Sequence, residues 1–273
     1  MKASLVRLAL AASTLVVAAL HAQPSATPAT NTPTYTQTLA YVRVPSGKGA
    51  EYEKFLAETT RKVAQLRADS GEIISWTVLR AVTPSGLEAR ANYLISTVSE
   101  GAPPVPTSES ALATAMKKAG VAMSVTEFVQ RRSSLSTLVA TEMWRPRVRV
   151  GAPKKGHYLY INMMKVHDMA AYSDFEQTVW RPMAEEWVKQ GAMSGWLFAT
   201  RMLPGGTDTP YAAYSADIFA TWDAAFAARS AQAVYEKINP GKKWPDVVQK
   251  YQKLRDLARR ELWVVVDRVE KSS

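Results

Sequence analysis

Two stretches of the chain, 120 positions apart, decide the fold. Residues 50–86 are AEYEKFLAETTRKVAQLRADSGEIISWTVLRAVTPSG, and residues 170–206 are AAYSDFEQTVWRPMAEEWVKQGAMSGWLFATRMLPGG. With this shift and no gap, the following residues meet an identical partner: Ala50, Tyr52, Phe55, Arg61, Ala64, Gly71, Trp76, Pro84 and Gly86. A rare tryptophan, two further aromatic residues, an arginine and three turn residues in one register indicate an internal repeat.

The repeat extends outward in both directions. Ahead of the two stretches, Leu39 meets Leu159. Beyond them the shift becomes 119, and four more pairs are identical: Gln130 and Gln249, Leu135 and Leu254, Glu142 and Glu261, Trp144 and Trp263. The chain therefore divides into a first unit (38–149), a linker rich in Gly, Pro and Lys (150–156) and a second unit (157–270).

Both units predict the same order of elements. A strand (39–44 or 158–165) precedes an amphipathic helix, whose apolar positions include Tyr52, Phe55 and Leu56 in the first unit. A hairpin follows (73–81 with 91–98, and 193–202 with 211–219), then helical segments and a last strand (138–144 or 261–267). This α+β order is the ferredoxin-like βαββαβ pattern, written twice in tandem. One such unit leaves one sheet face bare, so we expect the two sheets to pack together as a pseudo-dimeric α/β barrel.

The duplicated pattern resembles the dimeric α/β-barrel superfamily over about residues 38 to 270. That superfamily includes small monooxygenases, muconolactone-isomerase-like enzymes and stress-response barrels, and some of its members bind haem. More narrowly, the chain resembles exported bacterial proteins without an assigned activity. The residues that carry this narrower likeness are Trp180-Arg181-Pro182, Gly191, Gly195-Trp196 and Pro204-Gly205-Gly206-Thr207-Asp208. The resemblance implies two sheets around a central cavity.

The first residues predict a secretory signal peptide (1–22). Lys2 and Arg7 precede an apolar stretch (8–20), and Ala22 offers a small residue for cleavage. The predicted address is periplasmic or secreted; an uncleaved anchor is the alternative, although the stretch is short for a membrane span. Residues 23–37, rich in Pro, Thr and Ala, predict a disordered leader.

Composition excludes several classes of function. The chain has no cysteine, which rules out disulfides, thiolate catalysis and zinc sites that need sulfur. The net charge is +10, but the basic residues are scattered apart from 145–155. We therefore expect the basic residues to form solvated surface, and we expect no nucleic-acid partner.

Strand alternation selects the polar and aromatic residues that could face the second sheet. We expect the apolar face of each first strand to pack against the helices, which turns its polar face inward. The candidate ligand-binding residues are Tyr41, Arg43, Trp76, Arg80, Tyr160, Asn162, Trp196 and Asp217. A barrel core in which these residues satisfy one another is the alternative.

Other chemistry has weaker support in the sequence. Trp180 and Arg181 are candidate interface residues, with a pocket rim as the second interpretation, and an oligomer is compatible with either. His157 and His167 lie at opposite ends of one predicted strand, too far apart to share a metal ion, so we expect no metal site. A single histidine as an axial haem ligand stays open, but only the residue type supports it. A helix carries four carboxylates that predict a solvated face: Asp174, Glu176, Glu185 and Glu186.

Three functions remain open from the sequence. The first is a protein that binds a small, partly apolar ligand between the two sheets, with no resident cofactor. The second is a cofactor-free enzyme of the monooxygenase or isomerase kind, in which Tyr160, Asn162 or Arg43 orients the substrate. The third is a structural or interaction module with a filled core.

Overall fold

The computed structural model describes residues 34–84, 89–104 and 108–272. The predicted signal peptide and most of the predicted leader lie outside the described residues. Among the helices of the described part, none is long and apolar enough to cross a membrane.

The described residues between 35 and 151 form four strands and four helices. In chain order these are β1 (Tyr35–Arg43), α1 (Gly49–Glu58), α2 (Thr60–Asp69), β2 (Ser75–Thr83), β3 (Tyr93–Glu100), α3 (Glu109–Lys118), α4 (Val125–Leu135) and β4 (Thr137–Gly151). Residues 158–270 follow the same plan with more helical pieces. They form β5 (Tyr158–Val166), α5 (Met169–Phe175), a π-helical turn (Glu176–Trp180), α6 (Arg181–Lys189), β6 (Gly195–Leu203), β7 (Ala213–Phe219), α7 (Trp222–Phe226), α8 (Ala231–Ile238), α9 (Trp244–Leu254) and β8 (Arg255–Glu270).

The helix ends follow signals in the sequence. Ser124 caps α4 and Glu127 returns a bond to the Ser124 backbone, which completes a capping box. Asp168 caps α5 through its carboxylate. Gly71 and Gly191 follow α2 and α6 with φ of 78° and 74°, the left-handed conformation that ends a helix most readily at glycine.

The eight strands form one closed antiparallel barrel in the order β1-β3-β2-β8-β5-β7-β6-β4. Within each half, the strands have the ferredoxin-like neighbours, with β1 between β3 and β4 and β5 between β7 and β8. The halves are joined by hydrogen-bonded pairs, β4 with β6 and β8 with β2. The barrel therefore has no free sheet edge.

β4 and β8 are the elements that close the barrel. They contain 15 and 16 residues, about three times the common strand length. The sequence predicted only the stretches 138–144 and 261–267, because the remainder is too polar to resemble a buried strand. In β4 the additional residues after 144 pair with β6 of the other half, and in β8 the additional residues before 261 pair with β5.

The N-terminal boundary also differs from the prediction. β1 begins at Tyr35, so the predicted leader overlaps its first residues. Thr36 and Gln37 are buried, since Gln37 pairs with Val98 on β3 and with Trp144 on β4. The connection between the halves is correspondingly shorter, because β4 continues through Gly151.

Three apolar clusters make up the core. One fills the barrel and includes Leu39, Trp144 and Ile161. The other two lie between the barrel wall and the helices, one in each half, around Phe55 and Phe175. Both faces of the sheet are therefore buried over much of their area.

Candidate functional site

β5 faces the opposite way from the prediction. Leu159, Ile161 and Met163 line the barrel interior, whereas Tyr160 packs among the helices. Asn162 shares the outer face with Tyr160 because side chains alternate along a strand. The prediction was wrong because both faces of this sheet are covered, so an apolar face does not identify the helix side.

The inward prediction was also wrong for four residues on the hairpin strands. Trp76 and Trp196 are buried in the two helix layers. Arg80 is exposed and donates to Glu53 of α1 at 2.7 Å. Asp217 is paired with Trp196 across β6 and β7 and therefore shares its outer face.

On β1, Tyr41 faces the barrel interior, as predicted. Arg43 has the same parity but lies at the rim and is exposed. Its guanidinium donates to the backbone oxygens of Ala89 and Arg90, the latter at 3.0 Å. Of the eight candidate ligand-binding residues, only Tyr41 contributes a buried side chain to the space between the two sheets.

The hydroxyl of Tyr41 donates to the buried carboxylate of Glu142, a residue that the sequence patterns did not identify. Glu142 is 1% exposed at one end of the barrel interior. Its donors are Arg90 Nη1 (2.9 Å), Arg201 Nη2 (3.0 Å), Tyr211 OH (2.9 Å), Tyr41 OH (3.1 Å) and Trp144 Nε1 (3.2 Å). Both oxygens are satisfied, which makes this network a structural element of the barrel.

Glu261 occupies the repeat-related position. It accepts from Trp263 Nε1 at 3.0 Å and pairs with Arg259, and burial raises the pKa of its carboxyl. The space beside it is only about 10 Å³. The larger space in the interior, about 80 Å³, lies at the other end of the barrel.

A second polar cluster lies outside the barrel, between the sheet of the second half and its helices. Glu176 begins the π-helical turn and is 1% exposed. Its Oε1 has no hydrogen-bond partner among the described residues. Burial raises the pKa of this carboxyl to about 8, against the effects of Tyr172 and Arg255. π-Helical turns frequently occur at functional sites.

Two tyrosines and an arginine surround this carboxyl. The hydroxyl of Tyr172 lies near this carboxyl and favours its charged form, although it makes no hydrogen bond of normal geometry among the described residues. Tyr251 stacks on Phe175 with 5.0 Å between ring centroids. Arg255 lies over the Tyr251 ring at 4.0 Å and donates to its hydroxyl at 2.5 Å. The deep part of the cluster thus offers one acid, two phenols and one cation.

A second acid lies beside the first. Asn162 Nδ2 donates to Asp217 Oδ2 at 3.1 Å, and Arg260 Nε donates to Asn162 Oδ1 at 2.6 Å. Burial raises the pKa of Asp217, while Asn162, Arg260 and Arg229 favour its charged form. Asp217 in turn raises the pKa of Glu176, so the two carboxyls are electrostatically coupled.

The cluster reaches solvent on the side of Tyr160. This ring lies 5.9 Å from Phe219 and 6.1 Å from Phe226, measured between centroids. Phe226 is 57% exposed, and Arg260 is also exposed. Aromatic and cationic groups therefore border the outer edge of the layer that holds Glu176.

The first half has no acid at the positions that correspond to Glu176 and Asp217. When the sequence is shifted by 120 positions, Leu56 aligns with Glu176, Val42 with Asn162 and Thr97 with Asp217. Leu56 and Val42 are both buried in the first helix layer. The fold therefore does not need the polar residues, and burying them costs stability.

No protein-family model matches the sequence, and no curated protein is detectably similar to it. Among solved structures, a candidate monooxygenase of Lactobacillus acidophilus matches with a TM-score of 0.52, 12% identity, and coverage of 88% of this chain and 97% of that chain. The fold is of the dimeric α/β-barrel type.

Two further solved structures match the chain at lower sequence identity. A candidate monooxygenase of Fusobacterium nucleatum has a TM-score of 0.53, 7% identity, and coverage of 88% of this chain and 96% of that chain. An anthrone oxidase-like protein has a TM-score of 0.49, 9% identity, and coverage of 88% and 94%. At these identities the likeness concerns the fold alone.

Of the four carboxylates predicted on a solvated helix face, two are not solvated: Glu176 is buried, and the side chain of Glu186 is only 12% exposed. Asp174 and Glu185 are exposed, and Glu186 bonds to Lys237 at 2.5 Å. The signal that could have found Glu176 is its repeat partner Leu56, a member of the apolar stripe of the first helix. A carboxylate at a core position is expected only where something compensates for its burial.

Trp180 packs within the second half. Its ring lies 6.0 Å from Trp187, 6.3 Å from Trp244 and 5.7 Å from Tyr251. Arg181 is exposed and pairs with Glu185 at 2.8 Å. A role for either residue in contacts with another subunit stays a prediction.

The two histidines of the described residues lie at the two ends of β5. His157 precedes β5, and His167 follows it and pairs with Asp256 at 3.2 Å. Within the described ranges, no group of three or more His, Cys, Asp or Glu residues could hold a metal ion.

Proposed function

We propose that the protein is an enzyme in which Glu176 transfers a proton to or from a small molecule bound between the second sheet and its helices. The observation that carries the proposal is the Glu176 carboxyl itself. It is buried, its pKa is about 8, and the first half has leucine at the same position. A strongly shifted pKa in a cluster that the fold does not require is typical of a functional site.

The carboxyl is suited to general acid–base catalysis near neutral pH. Proton transfer is most efficient when the pKa of the catalytic group lies close to the working pH. Near that pH the group is present in both protonation states. Tyr172 and Arg255 favour negative charge at this place, so they could also stabilise an anion that forms on the substrate.

Removal of a proton from carbon would leave a carbanion. Return of the proton to another carbon would be an isomerisation, and reaction of the carbanion with O₂ would begin a cofactor-free monooxygenation. Both kinds of chemistry occur in the superfamily that the sequence resembles. The two candidate monooxygenases of similar fold are compatible with the second.

This proposal moves the substrate from the space between the two sheets to the outer face of the second sheet. The interior spaces of about 80 and 10 Å³ are smaller than the roughly 300–1,000 Å³ of sites for drug-sized molecules, so the larger of the two has room for only a few non-hydrogen atoms. A substrate on the outer face also meets Asn162, Asp217 and Tyr160, three of the residues selected from the sequence.

A carbon acid of known chemistry tests the proposal. Acetylacetone in D₂O exchanges its central protons, and NMR follows the rate. We expect the protein to accelerate this exchange, with loss of the acceleration in Glu176→Gln. The control is Glu185→Gln, which removes an exposed carboxylate from the same helical region. Equal exchange by the wild type and Glu176→Gln would refute the proposed base.

The repeat and the N-terminus support two further proposals. The chain is a tandem duplication of one ferredoxin-like unit, and it is exported and cleaved after Ala22. Mass spectrometry of the protein from the periplasmic fraction tests the second point, with Gln23 expected as the first residue. A mass that retains Met1 in the membrane fraction would favour the anchor. The absence of nucleic-acid partners and the oligomeric state stay predictions.

A further inference from the structure

The far end of the barrel interior contains a pocket of different character. It holds about 80 Å³, several times the roughly 10–15 Å³ that one water needs, which fits a molecule of about six non-hydrogen atoms. Its lining includes Ile161, which lies on the face of β5 opposite Tyr160 and Asn162. The sheet therefore separates this pocket from the Glu176 layer.

One side of the pocket is a polar row across three neighbouring strands. Arg268 on β8 is paired with Thr77 on β2, and Thr77 is paired with Ser96 on β3. Arg268 Nη1 donates to Thr77 Oγ1 at 2.7 Å. Gln37 Nε2 donates to Ser96 Oγ at 2.8 Å. Because both hydroxyl oxygens accept a bond, their own protons are available to donate.

Arg268 brings a positive charge to this row. Its side chain is 10% exposed, and its Nε has no partner among the described residues. Arg268 Nη2 forms an ion pair with Glu270 Oε2 at 2.9 Å, and the side chain of Glu270 is 62% exposed. A largely buried guanidinium with a solvent-screened partner retains capacity for an anion.

The opposite side of the pocket is largely apolar, although it also includes the exposed Arg149. The repeat relates Arg268, Thr77 and Ser96 to Arg149, Leu197 and Ala216, and all six line the pocket. Leu197 and Ala216 therefore occupy the places that the two hydroxyl residues have on the polar side. Leu159 and Ile161 extend this apolar surface.

We propose that this pocket binds a short-chain carboxylate. The carboxylate accepts from Thr77, Ser96 and Arg268, and the hydrocarbon chain lies against Leu197, Ala216 and Ile161. An anion without an apolar part would lose its hydration against the leucines without compensation. A neutral molecule would leave the arginine without an added counter-charge. This site does not depend on the proposed reaction at Glu176.

Titration with butyrate tests the site. ¹³C-butyrate is followed by NMR against the full chain, with butyramide as the neutral isostere and phosphate as the anion without a chain. We expect saturable binding of butyrate and at least about tenfold weaker binding of butyramide, because a hydrogen bond to a charged group is lost. Octanoate should bind more weakly than butyrate because its chain exceeds the pocket.

Two variants separate the pocket from general attraction to a basic protein. Thr77→Val removes one hydrogen-bond donor with little change in shape, and Ala216→Val fills part of the apolar side of the pocket. Each variant should lower the affinity for butyrate at least about fivefold. Arg61→Gln is the matched control, because it removes an exposed charge near the same end. Circular dichroism verifies that each variant is folded. Absence of saturable butyrate binding, equal binding of butyramide, or equal weakening in Arg61→Gln would overturn the proposal.

Discussion

At the scale of single residues, the two repeat-related acids of the barrel interior show how one position acquires two roles. Glu142 has two arginines and two tyrosines around it, whereas Glu261 has one arginine. Arg201 is 7% exposed and Arg259 is 39% exposed. Solvent therefore screens Arg259, and also Arg90, which is 35% exposed, but it does not screen Arg201.

Glu142→Gln should destabilise the protein much more than Glu261→Gln. It leaves Arg201 buried without its counter-charge, which costs about 3–5 kcal/mol. Because the partner of Glu261 is exposed, Glu261→Gln should lower the free energy of unfolding by only about 1 kcal/mol. Urea denaturation measures both free energies of unfolding. Equal losses would show that the donors around Glu142 do not act as a buried charge network.

Glu176 should make stability fall as the pH rises. Its folded-state pKa is about 8, against an ordinary value of 4.5, so between about pH 5 and 8 the unfolded chain releases this proton first. The slope contributed by one such group is at most about 1.4 kcal/mol per pH unit. Glu176→Gln should flatten the decline in the free energy of unfolding over this window. Glu185→Gln should keep the wild-type slope, and parallel curves for the wild type and Glu176→Gln would contradict the assigned pKa.

At the scale of elements, closure of the barrel depends on a close approach between β4 and β6. Gly151 is paired with Gly195 across this junction. A Cβ at Gly195 would lie 2.6 Å from the backbone oxygen of Val150. Backbone cannot move aside as a flexible side chain can, so only glycine fits here.

Gly195→Ala should therefore weaken the junction between the halves. We expect a loss of about 2 kcal/mol or more in the free energy of unfolding, because the strands must separate to admit the methyl group. Gly205→Ala is the control, since its Cβ would be 3.5 Å from the nearest backbone oxygen, that of Met202. Hydrogen exchange of the β4 and β6 amides locates the effect. Unchanged protection there would exclude this explanation.

At the scale of the whole molecule, the two halves share one barrel wall. β4 and β8 each pair with a strand of their own half and a strand of the other half. Neither sheet can dissociate without breaking two hydrogen-bonded junctions and exposing the interior cluster.

The halves should accordingly unfold together. Circular dichroism and tryptophan fluorescence should give one coincident transition in denaturant. A destabilising change in one half, such as Glu142→Gln, should shift that transition without splitting it. Two separate transitions would show that each half is stable alone.

The sequence by itself determined the α+β class, the order of elements in each half, and the position of Gly71 and Gly191 after their helices. These follow from local periodicity and from the register of the repeat. Only the tertiary structure decided which face of β5 lines the barrel, how far β4 and β8 extend, and that Glu176 is buried. Alternation along a strand shows which residues share a face, but not which layer covers that face. When helices cover one side of a sheet and a closed barrel covers the other, both sides exclude water, so hydrophobicity alone cannot tell them apart.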